Sequence, residues 1–206
     1  MRVAVIDSGI HPGHTHVGAV AGGVGVTDSG FTSDIVDRIG HGTAVAGAIR
    51  EKAPEAELYA VKVFDRRLST NIERILRALE WCLDQRMEVI NLSLGTTNPA
   101  HRERFQRLLG SGAWVVSAAD RLPGSLPSVI GVASDEGCPR QAFRYRDGVF
   151  YASPYPRSIP GVPPRGNLQG VSFAVANMSG FVALTLAGCP RDSLRARLIA
   201  GAESRL

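Results

Sequence analysis

Residues 167–181 read NLQGVSFAVANMSGF. Ser172 follows a glycine and a small β-branched residue. An apolar run follows it, broken only by Asn177, Ser179 and Thr185. Two readings are open for its hydroxyl. It is the cap of a core helix, a common device for serine, or it is a nucleophile held at the mouth of a buried helix. The second needs a base, usually histidine. The chain order of serine, base and acid differs between folds that carry such a site, so the choice of partners decides the fold.

The chain has 206 residues, enough for one domain with a sizeable core. Apolar and charged contents are ordinary for a globular protein. The net charge is +4, and Arg140, Arg144, Arg146, Arg157 and Arg165 form a loose group. No dense basic run alternates with aromatic residues, so this group reads as a solvated loop and no nucleic-acid partner is expected. Cys82, Cys138 and Cys189 are odd in number and lack metal-ligand spacing, which argues against a disulfide framework. MRVAVIDSGI opens as a core strand, without an apolar signal segment. Phe173–Ala187 is too short and too polar to span a bilayer. No membrane partner is expected, and a reducing cytoplasm is the expected location.

VAVID is a β-branched run ending in a carboxylate, the pattern of a buried parallel strand with Asp7 at its C-terminal edge. Residues 8–39 read mostly as loop, with one short strand. GHGTAVAGAIREK predicts a helix from near His41, and AELYAVKVF a second core strand. In STNIERILRALEWCLDQ, Ile72, Ile75, Leu76, Leu79 and Leu83 recur at helical spacing behind candidate caps at Ser69 and Thr70. MEVINLSL, AWVVSAA and SVIGVAS predict further strands, and AHRERFQRLLGSG a helix stopped by Gly110 and Gly112. Residues 138–170 are rich in Pro, Gly and Arg, with a short strand at GVFYAS. The Ser172 helix and a last helix from about Arg191 close the chain. This alternation implies α/β architecture, a parallel sheet with helices on both faces. No repeat and no domain boundary are evident.

All five histidines (His11, His14, His16, His41 and His101) precede Ser172. The α/β-hydrolase order of serine, acid, histidine therefore cannot be met, and GVSFA lacks the second glycine of a nucleophile elbow. The order acid, histidine, serine can be met by Asp7, His41 and Ser172. Asp7 ends a strand, and His41 and Ser172 each start a helix, at the carboxyl edge where sites form in open parallel sheets. A helix N-terminus also points free N–H groups at a developing oxyanion.

VIDSGI, GHGTAVAG, AELYAVKVF, EVINLSLG and GVSFA, in this order and spacing, resemble the subtilisin-like serine protease family from about Val3 to Gly180. The resemblance implies a single-domain, three-layer fold over residues 1–206, with a mostly parallel sheet and helices on both faces. It implies that Asp7 orients His41, that His41 deprotonates Ser172, and that Ser172 attacks a peptide carbonyl. Ser93, Leu94 and Gly95 match the segment that pairs with an extended peptide substrate, and Leu68, Ser69 and Thr70 match the opposite edge. Ile72 belongs to a pocket upstream of the cut or to the core.

Three departures from the family pattern stand out. The oxyanion asparagine is replaced: in VVSAADRLPGS its slot falls on Arg121, or on Asp120 if the loop is one residue shorter. Arginine can donate, whereas an ionised aspartate only accepts, so reduced activity is expected. The proline that usually follows the serine closely is Ala176. The family's calcium loop is missing, and His16 stands for a calcium-binding aspartate, so neither calcium nor another cofactor is expected. HPGHTH could suggest zinc but lacks a fourth ligand. With no pro-segment, signal or calcium loop evident, the expectation is an intracellular endopeptidase that processes a specific peptide or precursor peptide. The alternatives are a weak or inactive peptide-binding domain and a ligase or macrocyclase using the same acyl-enzyme.

Overall fold

The computed structural model describes residues 1–110, 112–163 and 166–203; Arg165 of the basic group lies outside them. Strands β1 (Arg2–Asp7), β2 (Gly22–Thr27), β3 (Gly30–Thr32), β4 (Glu57–Lys62), β5 (Val89–Leu92), β6 (Trp114–Ala118), β7 (Ile130–Ser134), β8 (Phe143–Arg146) and β9 (Val149–Ala152) form one sheet. Its order is β3-β2-β4-β1-β5-β6-β7-β9-β8. The six central pairings, from β2–β4 through β7–β9, are parallel; β2–β3 and β8–β9 at the two edges are antiparallel.

Helices α1 (His41–Lys52), α2 (Ile72–Asp84), α3 (Arg102–Leu108), α4 (Val171–Leu186) and α5 (Leu194–Gly201) cover both faces. Alternation along β1 separates the layers, because successive side chains point to opposite sides. Val3 and Val5 join a core with α1, α4 and α5, while Ala4 and Ile6 join one with α2 and α3. Asp7 continues the first set, so its carboxylate emerges toward α1. β1 lies between β4 and β5, where the chain's direction of winding reverses. That is the switch point at which an open α/β sheet forms its crevice.

Two local expectations are corrected, and a third is met and extended. Residues 8–39 hold two strands, β2 and β3, paired as a hairpin, not one. Asn71, not Ser69 or Thr70, caps α2: its side chain accepts from the Arg74 amide at 2.9 Å. GVFYAS forms β9, and the preceding FRYR pairs with it as β8.

Candidate active site

Asp7 is fully buried at the end of β1. Its Oδ1 lies 2.7 Å from His41 Nδ1 and accepts the Ser8 amide at 2.8 Å. A carboxylate only accepts, so Nδ1–H is the donor and Nε2 is left with its lone pair outward. Asp7 Oδ2 is buried without a partner among the described residues. Burial disfavours a charged His41, but the hydrogen bond and charge of Asp7, with Asp37 adding, outweigh it and hold the imidazole pKa above its ordinary value.

His41 is the first residue of α1, and Gly40 before it offers no side-chain cap. Asp37 does that work. Its Oδ1 accepts from the Ile39 and Gly40 amides and from the Ser8 hydroxyl. Its Oδ2 accepts from the Thr43 amide and hydroxyl at 2.9 and 2.6 Å. Ser8 Oγ in turn accepts the Gly42 amide at 2.9 Å. Burial pushes the Asp37 pKa up, yet these donors together hold it below its ordinary value. Thus β1 and α1 are locked together on both sides of His41. Sequence reasoning missed Asp37; its signal was an acid just ahead of a helix start whose cap position is glycine.

Ser172 is the second residue of α4 and does not cap it: Gly170 is the cap residue, and no side-chain cap bond is made. The Phe173 amide is taken by the Gly170 carbonyl at 3.0 Å. Phe173, the next residue, packs its ring 5.3 Å from the His41 ring. No hydrogen bond joins Ser172 Oγ to His41 among the described residues; such bonds often tighten only when substrate is bound. A buried relay fixes the rear of Ser172. The Ser179 hydroxyl donates to Asn91 Oδ1, Asn91 Nδ2 to Ser93 Oγ, and Ser93 Oγ to the Ser172 carbonyl at 3.3 Å.

Ser93, Leu94 and Gly95 follow β5 and are half-buried. An isolated antiparallel bridge ties Thr96 to Leu122. A Cβ on Gly95 would lie 2.2 Å from the Leu122 carbonyl and 2.9 Å from Arg121 Cγ, so only glycine permits this approach. The Arg121 stem therefore lies over the SLG segment. Its guanidinium makes a bidentate pair with Asp120 at 2.8 and 2.7 Å. The Arg121 hydrogen bond holds the Asp120 carboxyl below its ordinary pKa. Leu68 and Ser69 are exposed and Thr70 half-buried on the β4–α2 connection. Ile72, the first residue of α2, is half-buried and packs against the core.

Only residues 53–56 join α1 to β4, with a single carboxylate, and His16 packs its Cβ 3.1 Å from where a Cβ on Gly47 would lie. Among the described residues no three His, Cys, Asp or Glu side chains are grouped to hold a metal.

The model of the Subtilase family matches residues 1–134. The chain is 33% identical over 153 residues to "Minor extracellular protease Epr" of Bacillus subtilis (strain 168), covering 65% of this chain and 23% of that one. It is 32% identical over 216 residues to "Subtilisin E" of the same organism, covering 92% and 56%. With "Subtilisin" of Bacillus pumilus it shares 32% over 216 residues, covering 92% and 78%. The chain thus spans about a quarter to about half the length of the first two. The solved structure of a cold-adapted subtilisin-like serine proteinase superposes with a TM-score of 0.75 at 23% identity, covering 97% of this chain and 81% of that one.

Proposed function

Because the chain belongs to the subtilase family, whose relatives are serine proteases, we propose that it is a serine endopeptidase acting through an acyl-enzyme on Ser172. The observation that carries this reading is the 2.7 Å bond from His41 Nδ1 to buried Asp7, with Phe173, the residue after Ser172, packed on the His41 ring. Asp7 holds His41 in the tautomer with Nε2 free. As Ser172 Oγ attacks the substrate carbonyl carbon, Nε2 takes the hydroxyl proton. The imidazolium so formed is stabilised by Asp7. The oxyanion develops at the N-terminus of α4, where the Ser172 amide donates. Arg121, released from Asp120, supplies the second donor. Collapse of the tetrahedral adduct breaks the C–N bond, and His41 gives its proton to the departing amine. Water then repeats the sequence on the acyl ester and frees Ser172.

The finer reading is a dedicated enzyme that processes a peptide or precursor peptide inside the cell. Cys82, Cys138 and Cys189 are free, which suits a reducing compartment. The short connection from α1 to β4 supports activity without a calcium site. One observation favours a second reading, a non-catalytic peptide-binding domain: Arg121 and Asp120 satisfy each other in place of an oxyanion asparagine.

Labelling with a fluorophosphonate probe separates the two. On wild type, Ser172→Ala and His41→Ala, the endopeptidase reading expects adduct on Ser172 that requires His41. Folded wild-type protein that takes up no probe would give the binding-domain reading the lead.

A further inference from the structure

At the carboxyl edge of the sheet, Gly25 of β2, Lys62 of β4 and Asp7 of β1 are register partners and stand in one row. Their chain neighbours Val24, Val26, Val61 and Ile6 belong to the core with α2. Alternation therefore turns the row to the other face, toward α1. Residues 34–40, which lead into His41, cross over this row. A Cβ on Gly25 would lie 2.6 Å from the Asp34 carbonyl, so the missing side chain makes room for the crossing. Lys62 comes next, and at the end of the crossing His41 returns to Asp7.

Lys62 is buried, its side chain 6% exposed, and the proposed chemistry does not use it. A buried ammonium is costly unless its three protons find acceptors. Nζ donates to Asp34 Oδ2 and to the Val36 carbonyl, both at 2.9 Å. The third oxygen is Asp65 Oδ1 at 3.3 Å, just past β4. Alternate residues of the crossing reach opposite ways. Asp34 and Val36 reach to Lys62. The Ile35 carbonyl accepts the Ile10 amide at 2.9 Å, and Asp37 holds Ser8 and the start of α1.

Arg38 also donates to Asp34 at 2.7 Å and to the Val36 carbonyl at 3.4 Å, but it belongs to the same segment and ties it to itself. Its other partner, Asp65 at 3.5 Å, is an exposed carboxylate. Lys62 alone among these cations comes from a strand. The hydrogen bonds of Arg38 and Lys62 hold the Asp34 pKa down to about 2, so its carboxylate is charged at neutral pH. Lys62 and Asp7 are neighbours in the row, so residues 36–41 are fixed at both ends on adjacent strands. The ammonium takes Val36 and the carboxylate takes His41.

We infer that Lys62 is a positioning residue for His41: its ammonium clasps Asp34 and Val36 to β4 and so holds the segment before the base in place over Asp7. Its catalytic consequence rests on the endopeptidase reading, and two readouts keep the failures apart. The rate of fluorophosphonate labelling reports on Ser172 and His41 together. The low-field proton NMR signal of the His41 Nδ1–H bond to Asp7 needs no activity.

Lys62→Met keeps most of the length and removes the charge. It should label about tenfold to a hundredfold more slowly at saturating probe, the scale of a small misplacement, with the half-saturating concentration little changed. Its low-field proton should broaden or vanish. Lys62→Ala should behave alike. There n-propylammonium, which replaces the deleted stem and charge, should restore both readouts, and tetramethylammonium at equal ionic strength should not. Arg38→Gln should label at roughly the wild-type rate, because an exposed ion pair contributes little. If Lys62→Met does not fold, Asp34→Asn reads the clasp from its half-buried end. It should slow labelling about threefold, the worth of one weakened hydrogen bond, and broaden the same proton.

A folded Lys62 variant that labels at the wild-type rate overturns the proposal. Slower labelling with the proton signal unchanged overturns it too, as does a loss in Lys62→Ala that n-propylammonium leaves untouched. Wild type that shows the proton but takes up no probe defeats the endopeptidase reading alone. Loss of that proton in Lys62→Met would still place Lys62 behind the imidazole.

Discussion

The two halves of the proposed catalytic site are built in opposite ways. The base half, from Asp7 through Ser8, Asp37 and Thr43 to a partly buried His41, is otherwise buried, and its hydrogen bonds run from 2.6 to 2.9 Å. The proposed oxyanion half, Asp120 and Arg121, is 64% and 37% exposed, and the two side chains pair with each other. The difference follows from position. Asp7 and α1 are parts of the central layers, so their geometry is fixed by the same packing that folds the chain. Arg121 sits on the turn after β6, where a residue can change without disturbing the core. A site built this way can lose or replace its oxyanion donor while its base remains assembled.

Removing the base breaks that comparison most strongly. His41→Ala is expected to lower kcat by about 10⁶, and Asp7→Ala by about 10⁴, the scale set by subtilisin itself. The pH dependence of labelling reads the same pair. Since Asp7 holds the His41 pKa above 6.5, the labelling rate should rise with pH through that raised value and then level. In Asp7→Asn the rise should move to lower pH. The linkage has the opposite sign for stability. A raised folded-state pKa stabilises the fold fully below 6.5, and this contribution fades as pH climbs through the folded value.

Next in size is Arg121→Ala. If the guanidinium serves the oxyanion, kcat falls by about 10²–10³ with KM little changed, the cost of losing one donor in subtilisin. Asp120→Ala frees Arg121 and should leave kcat equal or higher. Equal turnover in wild type and Arg121→Ala would leave the α4 N-terminus as the whole oxyanion site. Asp37→Ala tests the base half at a residue that acts through Ser8, Gly40 and Thr43. It leaves the Thr43 and Gly40 amides and the Ser8 hydroxyl without their acceptor. The expected loss is about 3 kcal/mol of stability, or about 10 °C in Tm at this chain length, with kcat lowered about tenfold as His41 loosens. The depressed Asp37 pKa makes its stabilising effect present above pH 3.8 and lost as pH falls through the folded value. The Tm gap to Asp37→Ala should therefore close in acid.

What the sequence disclosed divides along similar lines. The places of Asp7, His41 and Ser172, at a strand end and at two helix starts, could be read because each stands where a strong periodic pattern begins or ends. The core strands were legible for the same reason, since β-branched runs flanked by helices announce a parallel sheet. The β2–β3 hairpin was not, because GGVGVT hides its alternation behind glycines. A Cβ on Gly23 would lie 2.1 Å from the Ala60 carbonyl of β4, so the strand needs a residue that carries no pattern. Asp37 was missed because its partners, Ser8 and Thr43, come from two different elements that only folding brings together. The cap of α2 passed to Asn71 because that residue directly precedes Ile72, which turns inward to the core.

The smallest effect falls between the two halves. Ser93 Oγ accepts a hydrogen bond from Asn91 Nδ2 and donates one to the Ser172 carbonyl across 3.3 Å, a long bond. Ser93 also opens the segment expected to pair with substrate. Ser93→Ala removes the last link of the relay from Ser179 but leaves the fully buried Asn91–Ser179 bond of 3.0 Å intact. A long neutral hydrogen bond is worth about 0.5–1 kcal/mol, so kcat should fall only about two- to fivefold, with Tm lowered by a few degrees at most. Asn91→Leu, by contrast, strips a buried acceptor from Ser179 and the donor to Ser93 at once, and should cost more in Tm than in kcat. If Ser93→Ala instead lowered kcat as far as Arg121→Ala, the nucleophile would be held from β5 and not by the packing of α4 on α1. The rigid half of the site would then extend through Ser172 to the substrate strand.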